Sequence, residues 1–446
     1  MSGARVPRLS VERINLPNGV IGLLVENHTV PTVTIQAVVK TGERYVADEF
    51  AGLATVTGTL LKHGTTRRTA NTIAEMVESV GGRLVARGGY AASLVELTLL
   101  SEDLPLGLEL ASELLRDSIF PEDRLQQVID RRRGELQSHE DDPRWVASSS
   151  FNEIVFEGSP QHRPLEGYSA TISRLRRDDV VAFHRQYFLP QNALVVVAGD
   201  FRASEVAQRM AAVFGDWDAS AEVMFPDVTA PIMRSEPVRR VVTKNKEQVS
   251  ILLGHLGISR ADKDFFKIRV LDTILGDSPG FTSRIPRVLR DEQGLAYSVY
   301  CHMARSAGLD AGRFIAYIGT APENLGSALD GLHEQIELIT REPPTAAEVE
   351  AAKAYLTGSF VFEFETNSQL AEYLVNAEMF GLGFDYPSRF VSEIESVSVD
   401  DVFCAARSHI RPEALTEVIV GPACPVAEVM GAAETFGITG RNGKMQ

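Results

Sequence analysis

The order of predicted strands and helices in the first half of the chain recurs in the second half. A β-rich run at residues 33–40 and a helix over residues 52–65 match a run at 249–256 and a helix at 265–275. The matching elements lie roughly 215 to 225 residues apart, which indicates an internal repeat. Because strands and helices are grouped within each half, the pattern predicts an α+β fold. Each half is expected to be an antiparallel sheet covered on one face by helices.

The segment between the halves has the character of a connection. Residues 215–240 hold Asp, Ala, Pro and Arg without a clear period. We therefore expect an N-terminal domain at residues 1–220, a linker at 221–240 and a C-terminal domain at 241–446. With 446 residues and 44% hydrophobic side chains, the chain can bury a core in each domain.

Charge and cysteine content narrow the range of partners. The net charge of -16 and the pI near 5.1 argue against nucleic-acid binding. No stretch reaches the length of a membrane span, and the N-terminus lacks the apolar run of a secretory signal. The cysteines Cys301, Cys404 and Cys424 show neither disulfide nor metal-ligand spacing. These features predict a cytoplasmic protein without nucleic-acid or membrane partners.

The segment from Ser283 to Tyr300 contains a candidate pair for chemistry, Arg290 and Tyr297. Apolar residues at helical spacing surround Arg290, Gly294 can end that helix, and a strand-like run follows. Strand alternation predicts that Tyr297 faces the same way as Leu295 and Val299, with Ala296, Ser298 and Tyr300 on the other side. A guanidinium and a phenol, both protonated at neutral pH, could bind a peptide carbonyl or its oxyanion. The residue types alone also fit a surface arginine and a half-buried tyrosine.

Arg290 to Tyr297 reads R-D-E-Q-G-L-A-Y. This stretch resembles the arginine and tyrosine motif in the C-terminal half of the insulinase and pitrilysin family of inverted-motif zinc peptidases. In that family the arginine precedes an E-x-G-L-x-Y-like sequence. Softer similarity at residues 158–175 and 187–200 extends the resemblance over most of the chain. The resemblance implies two homologous α+β halves that close like a shell around a peptide.

The family's zinc helix carries H-x-x-E-H, in which two histidines bind the metal and the glutamate is the general base. The flanking residues Gly52-Leu53-Ala54 and Gly64-Thr65 are present here at the matching spacing. Between them, Thr55 and Thr59 stand at the two histidine positions, and Gly58 stands at the glutamate position. A threonine hydroxyl is a poor zinc ligand beside imidazole, and glycine offers no base.

The family's third ligand is a glutamate on a later helix, and Glu135 matches its place ahead of Pro143. One carboxylate alone does not hold zinc, so the resemblance implies a remnant site and no metal in this chain. Two alternatives stay open. His139 lies four residues after Glu135, and His63 lies one turn beyond the second threonine, so either could belong to a rebuilt metal site.

The absence of the metal ligands together with the presence of Arg290 and Tyr297 resembles bacterial family members that have two chains. In those members one chain carries the zinc site and the other carries the arginine and the tyrosine. In that interpretation the chain is the non-catalytic subunit of a heterodimeric zinc metallopeptidase. A homologous zinc-bearing partner would hydrolyse peptides, while Arg290 and Tyr297 act on its substrate. Two further hypotheses remain: a catalytically inactive scaffold or peptide-binding protein of the same fold, and a lone peptidase with a metal site rebuilt at Glu135 and His139.

Overall fold

The computed structural model describes residues 9–278 and 283–423. The strands are β1 (Val11–Asn15), β2 (Ile21–Glu26), β3 (Thr32–Val39), β4 (Arg83–Gly88), β5 (Ser93–Leu100), β6 (Ala193–Gly199), β7 (Val238–Thr243), β8 (Val249–Leu256), β9 (Ala296–His302), β10 (Arg313–Thr320) and β11 (Thr416–Gly421). The helices are α1 (Leu53–Leu60), α2 (Ala70–Ser79), α3 (Leu104–Arg116), α4 (Glu122–Glu140), α5 (Pro143–Val155), α6 (Ser169–Ile172), α7 (Arg177–Tyr187), α8 (Ala203–Phe214), α9 (Phe265–Leu275), α10 (Arg284–Pro286), α11 (Leu325–Arg341), α12 (Ala346–Ser359), α13 (Asn367–Met379), α14 (Tyr386–Ser396) and α15 (Val399–His409).

The first sheet has the strand order β1-β2-β6-β3-β5-β4. Adjacent strands in this sheet are antiparallel, except that β2 and β6 run parallel to each other. Every residue of the central strand β6 is buried, as its continuous apolar run predicts. β4 lies at one edge, which leaves one side of its backbone available to whatever packs there.

The second sheet has the order β7-β11-β8-β10-β9, with only β11 and β7 parallel. β9 is an edge strand, and its register against β10 changes near its start. Ser298 lies opposite Gly319 and Ala296 lies opposite Thr320, so Tyr297 is the extra residue of a β-bulge.

This bulge makes the predicted alternation wrong. Val299 is buried, whereas Tyr297 is exposed over 93% of its surface, although alternation placed both on one side. One extra residue changes the face to which the following side chains point, so the alternation that holds from Ser298 onward does not extend back through Tyr297.

Both sheets are covered by helices, as predicted, but on two faces and not on one. On the first sheet α3 packs against Ile35 and Leu99, while α13 lies on the other face, where Ser368 donates to Glu96 at 3.2 Å. On the second sheet α5 packs with Leu252, Ile315, Tyr317 and Val418. The end of α9 meets the opposite face of that sheet at Cys301.

The second covering helix of each sheet comes from the other half of the chain. The unit built on the first sheet comprises residues 9–137, 163–228 and 359–389, and therefore includes α13. The unit built on the second sheet comprises residues 138–162, 229–278, 283–358 and 390–423, and therefore includes α5. Residues 218–237 hold no helix or strand. The linker at 221–240 stays a prediction, and two helices cross the domain boundaries that it implied.

The helices and two of the three cysteines can be described in the structure. No helix in the described part of the chain combines the length and apolar character needed to cross a membrane. Cys301 is a buried free thiol and Cys404 an exposed one, while Cys424 lies outside the described residues.

Candidate functional site

The N-terminus of α1 is held by a buried carboxylate that the sequence analysis did not single out. Glu43 accepts hydrogen bonds from the backbone N–H groups of Gly52 (3.1 Å), Ala54 (2.8 Å) and Thr55 (3.2 Å). Burial raises the pKa of Glu43 to about 7, although these donors and Arg163 favour its charged form. Its partners lie nine to twelve residues away, so local pattern gave no signal that this acid caps the helix.

The two threonines at the histidine positions use their hydroxyls inside the helix. Thr55 Oγ1 donates to the carbonyl of Gly52 at 2.9 Å, and Thr59 Oγ1 donates to the carbonyl of Thr55 at 2.8 Å. Both side chains are buried. Their oxygens serve the backbone of α1, which is the usual role of threonine in a helix interior.

Gly58 lies where no side chain has room. A Cβ added at Gly58 would lie 2.1 Å from the backbone nitrogen of Gly88 and 2.4 Å from the carbonyl carbon of Arg87. A Cβ added at Gly88 would lie 2.0 Å from the carbonyl oxygen of Ala54. Paired glycines therefore bring the backbones of α1 and β4 into direct contact. The backbone of β4 fills the space that a glutamate side chain at residue 58 would need.

Glu135 is engaged by arginines of its own helix. Arg132 donates to it at 2.9 Å, and Arg131 approaches it at 3.6 Å. Arg132 also donates to Thr59 Oγ1 at 3.4 Å, so its guanidinium bridges two of the predicted motif positions. A permanent cation thus lies between the residues that resemble metal ligands, and it would repel a metal ion.

His63 does not complete a metal site with these residues. Its Nε2 is buried without a hydrogen-bond partner. Burial, together with the cations Lys62, Arg124 and Arg131, lowers the pKa of His63 to about 4. The imidazole is therefore neutral near pH 7 and surrounded by positive charge.

The residues at the predicted metal position do not fit zinc. Two helix-bonded hydroxyls, a glycine without space and a carboxylate paired with arginines cannot supply three ligands. Among the described residues, three His or acidic ligand atoms come within 4.8 Å of one another at Asp262, Asp264 and His409, far along the chain from Glu135 and His139. Lys267 already binds Asp264 there at 2.9 Å. The predicted group at Glu135 and His139 gains no third ligand in the described structure.

Arg290 and Tyr297 lie on either side of a tight turn before the edge strand β9. Residues Arg287–Glu292 form a turn of π-helix, a form that often marks functional positions. Gly294, with φ at 66°, ends it as predicted, and its N–H donates to the carbonyl of Arg290 at 3.1 Å. Arg290 Nε binds the Asp291 carboxylate at 2.9 Å, and about 29% of the arginine side chain is exposed.

Tyr297 projects almost wholly into solvent from the bulge. An exposed phenol contributes little to packing, so the stability of the fold does not explain this position. The side chains of Arg290 and Tyr297 are both hydrogen-bond donors at the end of a sheet edge. Such a pair can bind a carbonyl oxygen of an extended peptide.

Comparisons with known proteins agree with this architecture. The family model described as Insulinase (Peptidase family M16) matches residues 22–168, and the model described as Peptidase M16 inactive domain matches residues 174–356. An uncharacterized zinc protease of Streptomyces coelicolor is 27% identical over 425 residues, which cover 93% of this chain and 90% of that protein. The uncharacterized zinc protease YmxG of Bacillus subtilis is 25% identical over 398 residues, covering 89% of this chain and 95% of that protein.

Solved structures show the same fold. The peptidase M16 inactive domain from Pseudomonas fluorescens superposes with a TM-score of 0.86 at 21% identity, covering 93% of this chain and 99% of that one. A protease from Helicobacter pylori gives a TM-score of 0.85 at 20% identity, covering 94% of this chain and all of that one (100%).

Proposed function

The chain belongs to the insulinase family of peptidases, family M16, and from that membership we propose that it is the non-catalytic subunit of a two-chain zinc peptidase. A homologous partner would carry the zinc and the general base, and would hydrolyse extended peptides. This chain would contribute Arg290 and Tyr297 to the bound substrate.

The observation that carries the proposal is the contrast at two positions of one chain. Gly58 is closed against the backbone of β4, so this chain cannot hold a general base there. Tyr297 is exposed over 93% of its surface at a sheet edge, where its hydroxyl has no packing role. A chain with no room for a base at residue 58 and with an exposed tyrosine at a sheet edge is suited to assist another chain.

In the assembled enzyme, Tyr297 would donate a hydrogen bond to the oxygen of the scissile carbonyl as that oxygen gains negative charge. Arg290 would orient the tyrosine or the peptide backbone. A donor of this kind accelerates a reaction because it interacts more strongly with the charged transition state than with the neutral substrate.

The experiment compares Tyr297→Phe with Tyr355→Phe in the complex of this chain with its zinc-bearing partner. Tyr355 is another exposed tyrosine, at 37%, and serves as the matched control. We expect Tyr297→Phe to lower kcat roughly 10- to 1000-fold, the scale of one oxyanion donor. Zinc content and complex assembly should stay unchanged, and Tyr355→Phe should keep full activity.

Equal turnover of the wild-type and Tyr297→Phe complexes would remove the proposed role. It would favour the second candidate, an inactive scaffold or peptide-binding protein of the same fold. The ion pair of Arg290 with Asp291 supports that candidate, because a paired guanidinium is less available to a substrate. The two candidates therefore differ in one rate measurement.

A further inference from the structure

Two arginines on the face of the second sheet that α5 covers share a tyrosine neighbour. The guanidinium carbon of Arg144, at the start of α5, lies 4.9 Å from the ring centre of Tyr317 and 5.4 Å from that of Tyr300. The neighbouring Tyr300 hydroxyl raises the pKa of Arg144. Arg144 is therefore fixed against the aromatic surface of β9 and β10.

Arg313, on β10, lies deeper on the same face. It donates to Ser148 Oγ at 3.3 Å and to Asn152 Oδ1. Ser148 and Asn152 follow Arg144 at intervals of four residues, so the three side chains form one stripe along α5. Burial lowers the pKa of Arg313, and the smaller effect of Tyr300 raises it. Its hydrogen-bond partners are all neutral.

Neither guanidinium has an acidic partner within the described ranges, and the nearby acids are engaged elsewhere. Asp142 accepts the backbone N–H of Arg144 at 3.0 Å as the cap of α5. Asp277 pairs with Arg269 and Arg305. Glu153, also on α5, binds Arg240 at 2.7 Å. Neither arginine therefore forms an ion pair within the described residues, although the chain holds 60 acidic and 44 basic residues.

Arg144 is exposed and Arg313 is half-buried, and folded proteins usually pair a cation that is largely removed from water. His302, the neighbour of Tyr300 on β9, adds a polar atom without a partner, because its Nδ1 is buried and makes no hydrogen bond. The rings of His302 and Tyr300 are stacked with centres 5.5 Å apart. Burial and the nearby arginines lower the pKa of His302 to about 4, so its ring is neutral near pH 7. The region therefore offers two cations beside an edge strand, and these cations are complementary to an anion.

We propose that Arg144, Tyr300 and Arg313 form a carboxylate-binding subsite for an acidic residue of an extended peptide added along β9. The inference rests on the proposed function, for which it names the substrate class. A strand added to an edge alternates its side chains between the two faces, so every second side chain would lie over this face of the sheet. An acidic side chain there would bind the guanidinium groups in the geometry that arginine and carboxylate share.

The test uses the purified full-length chain and labelled twelve-residue peptides in fluorescence anisotropy. One peptide repeats Thr-Glu and the second repeats Thr-Gln, both with acetylated and amidated ends. A third repeats Thr-Gln with a free C-terminal carboxylate, which separates a terminal carboxylate from a side-chain one. The net charge of -16 disfavours unspecific attraction of acidic peptides, so a preference for them reports a specific site.

We expect the Thr-Glu peptide to bind at least about tenfold more tightly than either Thr-Gln peptide. Arg144→Gln should abolish the preference without unfolding the chain, since this side chain is partly exposed. Arg313→Lys, which keeps the charge but loses the planar fork, should weaken it about tenfold. Arg240→Gln, which removes a cation already paired with Glu153, is the matched control and should retain the full preference.

Equal affinity for the Thr-Glu peptide and the amidated Thr-Gln peptide, or no binding of any peptide, would overturn the carboxylate subsite. A preference for the free C-terminal carboxylate over the Glu side chains would overturn its assignment to a side chain. Either result leaves the turnover of the Tyr297→Phe complex to decide the proposed function separately, because Tyr297 is no part of this subsite.

Discussion

The helix α1 and the turn before β9 contain the two sets of candidate residues that the sequence predicted, and the two regions differ in burial. In α1 every residue is buried, and the motif positions bond to the helix or touch the backbone of β4. Before β9, a π-helical turn and a bulge leave Tyr297 in solvent. The residues of α1 serve the packing of the fold, whereas the turn before β9 presents a tyrosine hydroxyl that packing does not require.

The positions of α1 that resemble a metal site are closed off by neighbouring groups. The close approach at Gly58 and Gly88, together with the guanidinium of Arg132, fills the space and supplies the wrong charge. The following predictions test whether the contact of α1 with β4 excludes a side chain at residue 58, and whether Tyr297 contributes to the stability of the fold.

The largest effect is expected from Gly58→Glu, which places a side chain where the backbone of β4 lies. We expect a loss of more than about 4 kcal/mol in the free energy of unfolding, or an insoluble protein. Gly134→Ala is the matched control, because a Cβ at this helical glycine of α4 meets nothing within 4 Å. It should stabilise the chain by up to about 1 kcal/mol in urea unfolding. Wild-type stability in Gly58→Glu would show that α1 is not closed.

The second prediction concerns the pH dependence that Glu43 imposes. Its folded pKa of about 7 lies above the ordinary value of 4.5, so between these values the native state holds a proton that the unfolded state has lost. Stability therefore falls as pH rises from 4.5 towards 7, by up to about 3 kcal/mol from this group. Glu43→Gln should flatten this part of the curve of unfolding free energy against pH. Parallel curves for the two proteins would contradict the assignment.

A smaller effect is expected at Arg132, whose guanidinium bridges Thr59 and Glu135. Arg132→Ala should cost about 1 to 2 kcal/mol, since two hydrogen bonds of a partly buried side chain are lost. The side chain of its neighbour Arg133 is 54% exposed, and its ion pair with Asp130 is long, at 3.9 Å. Arg133→Ala should change stability by less than about 0.5 kcal/mol. Equal losses in the two variants would mean that the bridge to α1 carries no stability.

The smallest effect on folding is expected at Tyr297. Because the side chain is 93% exposed, Tyr297→Ala should alter the free energy of unfolding by less than about 0.5 kcal/mol. Thermal unfolding of the isolated chain measures this directly. A loss above 1 kcal/mol would give Tyr297 a structural role and weaken the contrast between the two regions.

Local pattern predicted much of this fold. The apolar run of β6, the glycine that ends the helix at Gly294 and the repeated order of elements all follow from neighbouring residues. What it missed depends on distant partners. Gly58 meets Gly88, thirty residues on, and Glu43 caps a helix that begins ten residues later. The bulge at Tyr297 is a property of its pairing with β10, which alternation within one strand does not reveal.

Local patterns did not assign α5 and α13, and these are the helices that cross between the halves. The sheet on which an amphipathic helix packs depends on the tertiary fold, since its own residues specify only that a face will be buried. The comparison of α1 with a metal helix depends on its flanking residues and stays a prediction. The contact of Gly58 with β4 could not be inferred from residues 52–65 alone.

Each half of the sequence contributes one helix, α5 or α13, to the sheet that the other half builds. The two halves of the sequence therefore depend on each other through packing as well as through the peptide chain. A protease cut in residues 218–237 would leave two fragments, each carrying a helix that completes the sheet of the other. Neither fragment could close its own core in isolation, so both would have to be present for either to fold. Such a chain should behave as a natural split protein, in which the nicked form stays associated and the separated halves regain structure only when mixed.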